Sequence, residues 1–168
     1  MRSFSFFAWL LAAAFFGATA LQAQTPAQNK ETARKILAAV DAGDLNAFAQ
    51  YVSPSLIEHM PPPPGAPKAE SDFEMAKMLI AGFHTGFPDG KTKILHMVAE
   101  GDLVTVHSLY TATNTGAFMG MPATNKAVSI EQVDIMRFDA MGKGVEHWSV
   151  MDQLTMLQQL GLIPTDGK

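Results

Sequence analysis

Gln132 and Asp134 stand two residues apart in a run whose other even positions, Val128, Ile130, Met136 and Phe138, are apolar. Side chains alternate across a strand, so this spacing sets an amide and a carboxylate on a face that should look inward. A carboxylate in an apolar wall costs several kcal/mol unless it is hydrogen-bonded or neutralised. Burial of that kind raises a pKa towards the range useful for moving protons. The same residues could equally form a structural carboxylate paired with a buried amide or histidine. A second strand-like run ends the chain's polar inventory: Glu146, Trp148, Val150 and Asp152 alternate with His147 and Ser149. Trp148 is expected to wall a pocket, with Glu146 and Asp152 beside it. Asp152 directly precedes Gln153-Leu154 and is equally suited to cap a helix.

Five histidines complete the set: His59, His84, His96, His107 and His147. A turn at Gly101-Asp102 would bring His96 opposite His107 across a hairpin. Two histidines without a third ligand make a pair, so no metal is expected. His107, in mid-strand, could serve as a general base or hydrogen-bond donor near neutral pH, or be satisfied by backbone. His59 stands just before a proline run and is expected at the mouth of a pocket, in contact with substrate. The chain lacks cysteine, a Gly-x-Ser-x-Gly elbow, a phosphate-binding glycine loop and a dinucleotide fingerprint. No cofactor is expected. What is left is acid–base chemistry in an apolar pocket, or simple binding there.

Such residues need elements to hold them. Residues 30–42 carry Ala33, Ile36, Leu37 and Val40 at helical spacing, and Gly43 suits a C-cap. Asp44 can cap a short second helix with Leu45, Phe48, Ala49 and Val52 on one side, stopped by Ser53-Pro54. A brief extended segment, 56–59, leads to four consecutive prolines, 61–64, which make a stiff rim loop. A third helix is predicted over 69–83, burying Phe73, Ala76, Met78, Leu79, Ile80 and Phe83. Strands are predicted over 93–99, 103–113, 127–138 and 145–151, with a last helix over 153–160 ending at Gly161. Helices first and long strands after them predict an α+β domain over about residues 27–163, a curved antiparallel sheet wrapped round the N-terminal helices. The mouth of such a cone suits a small molecule.

The 168 residues, with 48% hydrophobic and 17% charged, suit one globular domain. Twelve basic residues stand against 16 acidic ones, without a Lys/Arg cluster, which argues against nucleic acid as a partner. Residues 1–23 read as a cleavable export signal, with Arg2 ahead of an apolar run over 6–16 and small residues at Ala18, Ala20 and Ala23. The apolar run is too short for a membrane span of about 20 residues. A secreted or periplasmic protein with no membrane attachment after signal removal is expected, its single domain lying within 24–168.

Several pieces in order resemble the SnoaL-like polyketide cyclase family, also called ester cyclases, of the nuclear transport factor 2-like superfamily. They are Phe87-Pro88-Asp89, Ala99-Glu100-Gly101-Asp102, the stretch 115–124, Glu146-His147-Trp148, Asp152 and Gln159-Leu160-Gly161. The resemblance covers about residues 30–163. It implies a cone-shaped α+β barrel with a deep pocket, assembled as dimers or tetramers, and here a homodimer through the outer sheet face is expected. It also implies ring closure by intramolecular aldol condensation without metal or cofactor, with an acidic residue near the final strand removing a C–H proton. Asp152 matches a family position. Ser149 stands where many members carry aspartate, and Asp134 where histidine is frequent.

These readings predict a cofactor-independent cyclase, lyase or isomerase acting on a small apolar carbonyl compound. Asp134 would be the base and Asp152 the alternative base. Gln132 and His107 would hydrogen-bond the substrate carbonyl, and Trp148 would wall the ring. The rival reading is an exported pocket protein that binds a small hydrophobic ligand without catalysis. A weaker third is a scaffold whose sheet mediates association.

Overall fold

The N-terminal layer is helical because its apolar positions recur at helical spacing and its ends are well capped. A computed structural model describes residues 24–62, 68–118 and 120–164. The segment read as an export signal and the later part of the proline run lie outside the described residues. Helix α1 (Pro26–Ala42) starts at a capping box between Thr25 and Gln28 and ends at Gly43, which adopts the left-handed conformation with φ 63°. Helix α2 (Leu45–Tyr51) is capped by Asp44, whose carboxylate accepts from the amides of Asn46 and Ala47. Helix α3 (Asp72–Gly86) is capped by Ser71 and buries Phe73 and Ile80. Met78, expected on that buried side, is 39% exposed. Among the described residues no helix is long and apolar enough to cross a membrane.

Five strands follow the order β1-β5-β4-β3-β2. They are β1 (Val52–Glu58), β2 (Lys91–Glu100), β3 (Leu103–Thr113), β4 (Ala127–Phe138) and β5 (Gly144–Met151). The four from β2 to β5 pair antiparallel as expected, with His96 opposite His107. The fifth corrects the expectation of a purely antiparallel sheet, because β1 runs parallel to β5 and makes the sheet mixed and unclosed. It also begins at Val52, earlier than the sequence suggests, and carries Pro54. An edge strand tolerates proline, since one side of it has no ladder to donate to.

The concave face of the sheet packs on α1, α2 and α3. Ala33, Ile36, Leu37, Phe48, Val52, Phe73 and Ile80 meet Val104, Val106, Met136 and Phe138 in one buried cluster. A second cluster lies at the other end of the sheet. There Phe87, Phe118, Val128 and Ile130 pack with Met156 and Leu160 of α4 (Gln153–Leu160).

Candidate active site

Alternation in β4 holds as the sequence suggests. Val128, Ile130, Asp134, Met136 and Phe138 are buried, and Gln132 is half-buried in the same row. The face of β5 is the reverse of the expectation. In the antiparallel register Asp134 stands opposite Ser149 and Met136 opposite His147, so His147, Ser149 and Met151 share the inner face. Trp148 therefore points outward, as does Val150, which is 75% exposed, while Glu146 contacts His59 and Arg137 on that side and also lines the first chamber. A tryptophan's large apolar area is expected inside. Here that area is covered differently, by the ring of His59 stacked on it at 4.3 Å and by the Arg137 guanidinium at 6.0 Å.

His147 lies between two carboxylates. Its Nδ1 is 2.7 Å from Glu58 Oε2 and its Nε2 is 3.3 Å from Asp134 Oδ1. Gln132 Nε2 donates to the other Asp134 oxygen at 3.1 Å. Glu58 arrives through the parallel pairing, which sets it directly beside His147 in register. The Asp134 and Glu58 side chains are 7% and 11% exposed. Burial pushes the His147 pKa down, but hydrogen bonds to Asp134 and Glu58 and the charges behind them outweigh it and raise the value to about 9. At neutral pH the ring is thus an imidazolium, donating from both nitrogens. Asp134 accepts from His147 on one oxygen and from Gln132 on the other.

Two chambers open on this cluster. One of about 170 Å³ is lined by Ile36, Val52, Leu56, Leu79, Ile80 and Met136, with Glu58 and Glu146 as polar contacts. The other, of about 160 Å³, extends towards Phe83, Phe87, Gly90, Thr92, Tyr110, Ser149 and Met151. Both touch Leu37, Val40, Met60, Gln132, Asp134 and His147. The titratable cluster therefore sits where the two spaces meet, with a single carboxylate–imidazolium pair serving both. Among the described residues no three histidines or carboxylates are arranged to hold a metal ion. The two carboxylates engage opposite edges of the His147 ring and do not converge on a shared point.

Four of the expected site residues, His107, His59, Trp148 and Asp152, lie away from the chambers. His107 is on the outer face, its Nε2 2.9 Å from Glu131 Oε2 and its Nδ1 3.2 Å from His96 Nδ1, so it does not reach the chambers. His59 is also outside, 3.0 Å from Glu146 Oε2, and Glu146 in turn lies 3.0 Å from Arg137 Nε. Trp148 shares that outer group. Asp152 caps α4 by accepting from the Thr155 amide at 3.0 Å, and hydrogen bonds from Thr155 hold its carboxyl below its ordinary value. Gln132 and Asp134 are where alternation put them. Glu58 and His147 were missed. The signal for His147 was available in the β4 register, because any residue opposite Met136 must face inward with it. For Glu58 there was none, since its partner is 89 residues away across a parallel pairing.

The profile of SnoaL-like polyketide cyclases matches residues 30–160. Among solved structures, AclR of Streptomyces galilaeus, a proposed hydroxylase, is 31% identical. It superposes with a TM-score of 0.72 and covers 86% of this chain and 87% of its own. IdmH of Streptomyces antibioticus, a proposed polyketide cyclase, is 29% identical with a TM-score of 0.68, over 80% of this chain and 99% of its own. A proposed polyketide cyclase of Bacillus cereus is 27% identical with a TM-score of 0.67, over 81% and 82%. No curated protein matches the chain. The profile match runs from within α1 to the end of α4, and on it the chain belongs to the SnoaL-like polyketide cyclase family of the nuclear transport factor 2-like superfamily.

Proposed function

We propose that the protein is a cofactor-independent acid–base enzyme that closes a ring by aldol-type condensation within a small, largely apolar carbonyl compound. The observation that carries this reading is the buried contact of Asp134 with the His147 imidazolium at the junction of two apolar chambers. It places a proton acceptor and a proton donor side by side, which is what an aldol step requires. Asp134 takes a proton from the carbon between activating carbonyls, and Gln132 holds the carboxylate in position. The enolate carbon then bonds to a second carbonyl carbon of the same molecule. The alkoxide so formed takes the Nε2 proton of His147. Asp134, now protonated, returns its proton to His147 Nε2 across the same contact, and both groups end as they began. Glu58 keeps the ring oriented and favours its charged form at the start and end of each turnover. The apolar walls exclude water, which strengthens the charge interactions of the developing enolate.

A nine-carbon linear triketone tests this reading, since its methylene flanked by two carbonyls can attack the third carbonyl and close a six-membered ring. Ring closure and solvent deuterium uptake at that methylene, followed by NMR, should be accelerated by the protein. Both should drop by about two orders of magnitude or more in Asp134→Asn with folding intact. Equal rates in the two proteins would reject Asp134 as the base. Binding of the triketone without acceleration would favour a ligand carrier instead. Export with removal of residues 1–23 belongs to the same proposal, and N-terminal sequencing of the mature protein tests it.

A further inference from the structure

The two chambers differ in their linings. Beyond the shared cluster, the first is mainly apolar with Glu58 and Glu146, whereas the second carries Asp41, His84, Thr92, Ser149 and the phenol of Tyr110. Tyr110 is an inward residue of β3 opposite Ile130 of β4. Burial first, and the charges of Asp41 and Asp89 after it, push its pKa up to about 12. The phenol is therefore a neutral hydrogen-bond donor at any working pH. Among the described residues no hydrogen bond engages this hydroxyl, so the donor is open to a ligand. Asp41, which also lines the second chamber, accepts from both the amide and the hydroxyl of Thr92. Gly90 makes the position possible, because a Cβ there would lie 2.3 Å from the Tyr110 hydroxyl oxygen. Any side chain at residue 90 would drive the phenol out of its place.

We propose that Tyr110 is a specificity-determining residue that binds an oxygen atom of the ligand remote from the carbon handled by Asp134. The proposal rests on the reading of Asp134 and His147 as the reacting end. Tyr110 lies four residues along the sheet from Val106, the partner of Asp134. At about 3.4 Å per residue the two backbone positions are about 14 Å apart, so the carboxylate and the phenol meet different parts of a ligand. The favoured ligand thus carries a carbonyl at one end and a hydroxyl or carbonyl oxygen at the other. A ligand with one polar end would leave a buried donor unpaired.

Binding of two matched probes tests this without any turnover: an acetylnaphthalene, and the same molecule with a hydroxyl on the ring remote from the acetyl group. Calorimetry on the full mature chain should show the hydroxylated probe binding about fivefold to tenfold tighter, the worth of one hydrogen bond. In Tyr110→Phe, which keeps the ring and removes only the hydroxyl, the two affinities should converge. In Asp134→Asn the preference should persist, so that a failure of the catalytic reading is separable from a failure of this one. Equal affinities in the unaltered protein, a preference that survives Tyr110→Phe, or no binding of either probe would each overturn the proposal. Gly90→Ala should abolish the preference as Tyr110→Phe does, and its retention there would count against the proposal as well.

Discussion

Two histidine–carboxylate pairs occupy the same sheet on opposite faces, and their surroundings set what each can do. His147 touches Asp134 and Glu58, whose side chains are nearly buried, and its own is 24% exposed. His107 touches Glu131, whose side chain is 65% exposed. The contact lengths are similar, 2.7 Å to Glu58 and 2.9 Å to Glu131. On the outer face water screens the charges, and either partner can be solvated alone, so such pairs contribute little. On the inner face both carboxylates are nearly buried, so water screens their contacts little and the cation between them is held in place. Sequence spacing alone does not separate the two pairs. Burial does, and burial here is decided by which face of β4 and β5 a residue occupies.

The largest expected effect is on the inner pair. His147→Gln leaves Glu58 and Asp134 without the cation they flank, which should cost about 3 kcal/mol, read by urea unfolding. A smaller value, like that of a surface pair, would erase the distinction between the faces. The inner pair should also impose a pH dependence. The folded pKa of His147, about 9, is above the ordinary 6.5. Between these values the folded protein holds a proton that the unfolded chain releases, so this contribution is full below about pH 6.5 and is lost as pH rises through about 9. The melting temperature should fall over that window, and His147→Gln should remove that part of the slope. Asp152→Ala comes next. As a helix cap, it should lower the melting temperature by a few degrees while deuterium uptake by the triketone is retained. Loss of uptake with unchanged melting would make Asp152 the base instead. The smallest effect belongs to the outer pair, where His107→Gln should change stability by about 0.5 kcal/mol or less and leave uptake intact.

Much of this architecture is legible in the amino-acid sequence, for local reasons. Asp44 and Asp152 are helix caps by type and position, and Gly43 and Gly161 end helices in the left-handed conformation. The even positions of β4 form an alternating row, so Gln132 and Asp134 could be placed inward from that row alone. The face of β5 is less legible because Trp148 and Val150 alternate with His147 and Ser149. Apolar character there points to the wrong side. A register shift between Arg137 and Phe138 against β5 further breaks the simple count. Glu58 is illegible, since it joins the site through a parallel edge strand, and only assembly of the whole sheet brings it to His147. Family resemblance supplies the fold, but it carries no information on Glu58 or Tyr110.

The central claim is that His147 is held as a cation between Glu58 and Asp134 on the inner face. The most direct test is an NMR titration of the five imidazole rings in ¹⁵N-histidine-labelled protein, with the His147 signals assigned through His147→Gln. His147 should stay doubly protonated through neutral pH and titrate at about 9. Titration of His147 near 6.5 or below, with a neutral ring at pH 7.5, would contradict it.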